Sequence, residues 1–290
     1  MLSQIFHDPL MLRVAQAISA AIFALVVAYL ARCSGIRLQR ETIVALVRGI
    51  SQIIIVGVLL TFVLGSTQWL SMFVLLGMML AGAVIAAQRT KRIPGVMQVT
   101  LRAILLGSGL VIGIMVILGV IDTSVATLIP VGSMLIANAM NTTTLALDRF
   151  RAEVEAHTGQ IEAGLALGAA PNVVIAPYVQ AAVQASLIPS INNLRSLGIV
   201  WIPGVMAGMV LAGSNPVVAA IYQFVVVAML FATAGTTALL CTLFVRSHVF
   251  SSAAQLVLRP GELRPLSPPP GNAHAARTPP SDSDNRAHGM

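Results

Sequence analysis

Residues 148–171 read DRFRAEVEAHTGQIEAGLALGAAP, a stretch that is neither a plain apolar span nor a Pro- and Ser-rich tail. Charged residues separate apolar ones that recur at helical spacing, at Phe150, Val154, Ile161 and Leu165. This spacing predicts an amphipathic helix. Gly168 is of the type that ends helices, and Pro171 stands where a second helix can begin. We interpret residues 148–184 as a helical elbow outside the membrane, which another protein grips.

The composition around the elbow is that of a membrane protein. Hydrophobic residues make up 57% of the chain and charged residues only 9%, whereas a soluble domain carries about a quarter charged residues. We therefore expect an all-α integral membrane protein. The net charge of +7 could indicate a nucleic-acid partner, but the basic residues lie at the ends of apolar runs, which favours a role in topology and no nucleic acid.

Seven apolar runs are long enough to cross a bilayer, which takes about 20 helical residues. The predicted spans are 12–31, 43–64, 69–87, 99–121, 126–147, 185–212 and 217–245. Pro189 and Pro203 are expected to interrupt the sixth span, and Pro130 lies near the start of the fifth.

Basic residues concentrate in loops 32–42, 88–98 and 148–184, and the alternate loops are almost uncharged. The positive-inside rule then predicts an N-terminus outside the cell and a C-terminus in the cytoplasm. We assign residues 1–250 to one membrane domain. Residues 251–290 are rich in Pro and Ser, which predicts a disordered cytoplasmic tail.

The predicted spans hold polar residues but no Asp, Glu, His or Lys, which lowers the odds of a proton-driven carrier. Seven residues are candidates for lining a pathway, namely Gln52, Asn138, Asn141, Pro203, Gly204, Met206 and Gln223. For any one polar side chain, a hydrogen bond between helices is the favoured alternative. Asn138 and Asn141 lie one turn apart on the same face, which makes a lining role more credible there. Metal-binding residues cannot be assigned from the sequence.

No energy source is encoded in the chain. A phosphate-binding loop needs Gly-Lys-Ser/Thr, and the only lysine is Lys91, within Arg-Thr-Lys-Arg. No nucleophile-elbow or zinc-helix motif is present either. We therefore expect a protein that is not an enzyme and that holds no cofactor of its own. Uphill transport would need a partner that binds ATP and Mg²⁺.

The elbow resembles a known family. Residues 162–168, Glu-Ala-Gly-Leu-Ala-Leu-Gly, are similar to the Glu-Ala-Ala loop of ABC-transporter permeases, with Gly164 in place of the second Ala. Longer matches over about 12–250 resemble the FetB-type iron-export permeases, which are related to plant aluminium-tolerance subunits. These matches include Asn138-Ala139-Met140-Asn141, Leu145-Ala146-Leu147-Asp148-Arg149-Phe150, Leu187-Ile188-Pro189 and Tyr222-Gln223. Three positions depart from the family pattern, at Ala137, Trp201 and Asn215.

The resemblance implies a homodimer in the inner (plasma) membrane with two copies of a cytoplasmic ABC ATPase. It implies ATPase coupling by Glu162, Ala163, Leu165, Gly168, Ala169 and Pro171. Glu162 would pair with a basic groove, Gly168 would form the turn, and Leu165 with Ile161 would supply apolar grip. The implied cargo is iron or a related metal. A nucleotide sugar is the alternative cargo, and a channel or an ion-gradient-driven carrier is the alternative mechanism.

Overall fold

The computed structural model describes residues 9–33, 39–63, 68–90, 93 and 95–249, and these residues form helices and no strands. The helices are α1 Pro9–Cys33, α2 Gln39–Val63, α3 Gln68–Arg89, α4 Val96–Ile117, α5 Val125–Ala156, α6 Thr158–Ala166, α7 Pro171–Ser196, α8 Gly204–Leu211 and α9 Pro216–Val249. In hydrocarbon a helix satisfies its own backbone hydrogen bonds, which is why apolar runs of this length fold this way.

Six described helices are long and apolar enough to cross a membrane. They lie within α2, α3, α4, α5, α7 and α9, and α1 contains a shorter apolar stretch, Val14–Leu30. The all-α membrane class is therefore confirmed, and the count of seven spans stays a prediction. Residues 251–290, Lys91 and Arg92 lie outside the described residues, so the disordered tail also stays a prediction.

The prediction of a sixth span at 185–212 is wrong. Helix α7 begins at Pro171, contains both Pro177 and Pro189, and ends at Ser196. Proline is tolerated inside membrane helices because neighbouring groups can satisfy the freed carbonyls, so Pro189 does not end this helix. The helix ends before Gly198, whose φ of 78° is left-handed. The remaining part of the predicted span forms α8.

The first amphipathic helix of the elbow is also divided. Helix α5 continues to Ala156, and α6 begins at Thr158, so the break falls at His157. Pro130 lies inside α5 without ending it, as Pro189 does in α7. The charged stretch that follows the predicted fifth span is therefore a direct helical extension of that span.

The chain divides into two compact units, whose boundaries fall within α3, α4 and α5. The first comprises the described residues up to Met78 together with Ile114–Ser133. Its helix α2 is exposed along the whole apolar window, with side chains such as Ile53 and Phe62 outward. An all-exposed apolar helix fits a lipid environment rather than water.

The second unit comprises Met79–Gly113 and the described residues from Met134 onward. Close packing of helices α4 and α9 is visible at Gly107, where an added Cβ would lie 2.9 Å from the Cα of Thr237. Thr236 Oγ1 also donates to the Gly107 carbonyl at 3.4 Å. Small residues at such crossings let helix backbones approach, which strengthens the van der Waals packing between membrane helices.

Candidate functional site

One face of the elbow belongs to the hydrophobic core of the second unit. Phe150 and Val154 near the end of α5, and Ile161 in α6, are fully buried. They join a buried cluster with residues of α7 and α9, including Ile175, Val179, Ala182, Cys241 and Val245. The predicted helical spacing is thus confirmed as a buried face. However, the prediction that Ile161 grips a partner is wrong, because its side chain is enclosed by this chain itself.

The junction between α5 and α6 is tied to α7 through His157. Its ring stacks on Tyr178 with centroids 5.0 Å apart, and its Nδ1 lies 2.9 Å from the Glu153 carbonyl. The Tyr178 hydroxyl donates to Gln160 Oε1 at 3.3 Å. Because one contact with Tyr178 is made at the break and the other within α6, α6 is held to α7 at its start as well as by its buried face.

The end of α6 is a Schellman turn. The Gly168 N–H donates to the Leu165 carbonyl at 3.0 Å, and the Ala169 N–H donates to the Gly164 carbonyl at 3.1 Å. Gly168 has φ of 84°, as this motif requires. The turn leads to Pro171, the first residue of α7. Both sequence signals for the elbow, the glycine stop and the proline start, are confirmed.

Gly164, where the sequence departs from the Glu-Ala-Ala pattern, lies close to the first turn of α7. A Cβ at this position would lie 3.2 Å from Val174 Cγ2, tighter than most contacts of this kind. An alanine here would require the Val174 side chain to shift by a few tenths of an ångström.

The other face of the elbow is exposed. Glu162, Ala163 and Ala169 are exposed, and among the described residues the Glu162 carboxylate makes no ion pair. Leu167 is 89% exposed and Val173 is 68% exposed. Leu165 is only partly exposed because it packs against the core cluster. Around the turn between α6 and α7, the elbow thus exposes the Glu162 carboxylate and the apolar side chains of Leu167 and Val173.

Helix α9 brings several of the pathway candidates together. The Gln223 side chain is 2% exposed, and its Oε1 accepts the Met206 backbone N–H at 3.1 Å. Two turns further along the same face of α9, the Leu230 carbonyl accepts a hydrogen bond of 2.7 Å from Asn138 Nδ2. These contacts match the alternative of hydrogen bonds between helices, and a lining role stays a prediction.

The other candidates lie in different places. Pro203 is buried and directly precedes α8, of which Gly204 is the first residue and is exposed. Asn141 is exposed on α5, one turn beyond Asn138. Gln52 is exposed on α2 and belongs to the first unit.

Sequence reasoning missed Thr237. Its Oγ1 is buried without a hydrogen-bond partner, as are Thr143 Oγ1 and Gln223 Nε2. The signal was the seven-residue spacing of Gln223, Leu230 and Thr237, which places all three on one face of α9. In the described part of the chain, no three His, Cys, Asp or Glu residues are grouped as metal ligands would be. Amides, hydroxyls and carbonyls are the polar groups available on this face.

These features define an all-α integral membrane protein with a folded elbow beyond one helix end. The UPF0014 family model, described as an uncharacterised protein family, matches residues 14–250, and the chain belongs to this family. The resemblance to a permease family that the sequence indicated is therefore confirmed.

Three curated relatives illustrate the family. The chain is 30% identical to the UPF0014 membrane protein STAR2 of Oryza sativa subsp. japonica over 76% of this chain and 77% of that protein. It is 28% identical to Protein ALUMINUM SENSITIVE 3 of Arabidopsis thaliana over 85% and 89% of the two chains. It is also 28% identical to the Probable iron export permease protein FetB of Escherichia coli (strain K12), over 84% and 95%. No solved structure matches the chain.

Proposed function

We propose that this protein is the membrane permease subunit of an ABC exporter that moves iron or a related metal with ATP hydrolysed by a separate ATPase. Similarity to a probable iron export permease over most of both chains supports the cargo class. The helices and the distribution of basic residues support a multi-pass inner-membrane protein with a cytoplasmic C-terminus.

The main support for the proposal is that the elbow has one buried face and one exposed face. Its inner face is part of the core, so a force applied to α6 reaches α5 and α7 directly. Its outer face presents Glu162 with Leu167 and Val173, a combination suited to a basic groove with an apolar pocket. Apolar anchors in pockets dominate the free energy of such interfaces, and a charge fixes the register.

Each coupling residue has a role in this proposal. Glu162 supplies the charge. Ala163 and Ala169 have small side chains, so a partner can approach the backbone of the elbow closely. Gly168 forms the turn, and Pro171 starts the return helix. Leu165 links the outer face to the core. Leu167 and Val173 take the gripping role that the sequence analysis assigned to Leu165 with Ile161.

The cargo is proposed to pass as a hydrated or chelated metal. Iron ions favour carboxylate and imidazole ligands, whereas the buried face of α9 offers an amide at Gln223 and hydroxyls such as that of Thr237. Such groups hydrogen-bond to the water or the chelator around a metal. A homodimer would place two such faces in one transporter, as the family resemblance implies.

The test is charge reversal at the elbow. With the partner ATPase co-expressed, Glu162→Lys should weaken ATPase pull-down at least about tenfold, because it sets like charges together in a basic groove. Glu162→Gln should have a smaller effect. Asp122→Lys makes the same change of charge in the turn before α5 and should leave pull-down unchanged. Cellular iron under iron or peroxide stress should rise with Glu162→Lys alone.

Two results would contradict the proposal. One is normal ATPase binding and normal export by Glu162→Lys. The other is flux through the purified chain in liposomes that follows an ion gradient with no ATPase present, which would indicate a secondary carrier or channel.

A further inference from the structure

Helix α7 has two faces of different character. Its buried residues recur every three or four positions and are apolar or small, namely Ile175, Val179, Ala182, Ser186 and Ser190. Exposed residues recur at the same spacing on the opposite side of the helix, and most of them are polar, namely Gln180, Gln184, Ile188, Asn192 and Arg195. We call these five exposed residues the polar face. It lies outside the core of the chain, although α7 is long and apolar enough to cross a membrane.

The polar face has no protein partner in the part of the chain that the structure describes. No hydrogen bond or ion pair joins the side chains of its amide residues or its arginine to another described residue. Elsewhere in the same unit, the side chains of Asn138 and Gln223 do bond to neighbouring helices. The polar face is therefore not used to pack the helices of one copy together.

Gln184 lies at membrane depth. About 20 Å of helix separate it from Pro171, and about 18 Å separate it from Ser196. Tyr178, which is tied to α6 of the elbow, lies about 9 Å earlier along the helix. The hydrocarbon core is about 30 Å thick, so a glutamine side chain is too short to reach its surface from this position. An amide in hydrocarbon without a partner is unfavourable, and lipid is therefore a poor cover for this face.

Direct contact with α7 of a second copy is disfavoured by charge. In a dimer with a twofold axis along the membrane normal, a residue near the axis faces its own counterpart at the same depth. Packing of α7 on α7 would bring two Arg195 guanidinium groups together, and α7 contains no Asp or Glu to compensate them. Water between the copies would pair with the amides and screen the guanidinium groups. The polar face therefore fits a water-filled cavity.

Arg195 indicates what such a cavity binds. The positive-inside rule places this end of α7 outside the cytoplasm, where arginine has no role in topology. A guanidinium repels bare metal cations and binds carboxylate or phosphate oxygens through two parallel hydrogen bonds. The side-chain amides of the polar face can donate to the same oxygens. The face therefore suits an oxyanion, and α7 offers no carboxylate that would hold a bare metal ion.

We propose that the polar face lines a water-filled pathway and binds oxyanions, so that a metal leaves as an anionic chelate with carboxylate ligands. The wetness of the face and its preference for oxyanions follow from the residues of α7. Transport of the ligand along the face rests on the proposed function. Gln180, Gln184, Asn192 and Arg195 thereby join the residues proposed to line the pathway.

Cysteine labelling of the full-length protein in lipid nanodiscs tests whether the face is wet. Single cysteines are introduced in a Cys33→Ser background, which itself serves as the blank. A sulfonate-bearing methanethiosulfonate should modify Gln184→Cys and Ile188→Cys at least about tenfold faster than the buried Ala182→Cys, because the reactive thiolate forms in water and not in an apolar site. Ile53→Cys, on the exposed apolar helix α2, should be as slow as Ala182→Cys.

Protection from labelling tests the ligand class. Ga³⁺ citrate, a redox-inert analogue of ferric citrate, should slow the modification of Gln184→Cys, whereas MnCl₂ should not. UDP-glucose serves as a phosphate-bearing probe. Adding Arg195→Gln should raise the citrate complex concentration needed for protection at least about tenfold, because it removes charge-assisted hydrogen bonds. Arg102→Gln removes an exposed arginine from α4 and should leave protection unchanged.

Slow labelling of both Gln184→Cys and Ile188→Cys would overturn the wet face, and a disulfide between two copies of Gln184→Cys would then identify direct packing of α7 on α7. Protection by MnCl₂ and not by Ga³⁺ citrate would overturn the preference for oxyanions. Protection by UDP-glucose alone would support the oxyanion site and contradict the metal chelate. If the chain binds no ATPase, the proposed function fails, while labelling still decides whether the polar face is wet.

Discussion

Helices α6 and α8 have nine and eight residues and join long helices at opposite ends of α7, yet they are held in different ways. Helix α6 buries Ile161 completely, ends in a Schellman turn and is tied to α7 by a stacked ring pair. Helix α8 packs against α9 and also ends in a Schellman turn, at Gly213, but it buries no residue completely and is capped at its start by one side chain. The two short helices therefore share the same type of end and differ in the burial of an apolar face, although α8 is the more apolar of the two.

The buried face of α6 suits the role proposed for the elbow. An element that receives force from a partner must be continuous with the core, or the force would only bend a loop. The elbow pairs a buried inner face with an exposed outer one, whereas four of the eight residues of α8 are partly exposed and none is buried.

The largest expected effect comes from removing the anchor of α6. Ile161→Ala should lower the free energy of unfolding by about 2–5 kcal/mol, because it leaves a cavity in a fully enclosed site. Leu211→Ala, at the end of α8, should change it by no more than about 0.5 kcal/mol. Thermal unfolding in detergent measures both. Equal losses would mean that α8 is as firmly packed as α6, and the comparison would fail.

This contrast could be predicted only in part. Gly168 and Pro171 follow local rules of helix ends, so the sequence indicated the turn and the start of α7 correctly. The burial of Ile161 could not be assigned, because helical spacing shows that a face is apolar but not whether this chain or a partner covers it. The contact of Gln223 with Met206 joins residues 17 positions apart in sequence and required the fold.

The prediction of the sixth span was wrong for a related reason. Residues 185–212 are apolar almost throughout. A hydropathy pattern does not show where one residue with a left-handed backbone, such as Gly198, ends a helix. Pro189 was also expected to interrupt the helix, but it lies inside α7. Membrane helices tolerate proline, whereas a left-handed glycine ends a helix by its geometry.

An intermediate effect is expected at the turn of the elbow. Gly168→Ala should cost about 1–2 kcal/mol, since alanine is strained at φ of 84° although the space beside it is open. Gly159→Ala, within α6, also meets no atom within 4 Å and should instead stabilise by about 0.5–1 kcal/mol. Opposite signs in thermal unfolding would confirm that the turn depends on conformation and not on space. If Gly168→Ala leaves the free energy of unfolding unchanged, the turn does not depend on a left-handed residue at position 168.

The smallest effect concerns the junction at His157. Its ring stacks on Tyr178 at an interplanar angle of 28°, and stacked aromatic pairs contribute about 0.5–1.5 kcal/mol beyond the area they bury. His157→Ala should therefore destabilise by about that amount, whereas His157→Phe keeps the stack and loses only the polar contact with Glu153. Because the ring pair ties the start of α6 to α7, the loss should be local. Hydrogen exchange of α6 should rise in the alanine variant, while exchange in the cluster around Val179 stays as in the parent chain. If α6 exchanges alike in both variants, the buried face alone holds the elbow, and the ring pair contributes nothing to its rigidity.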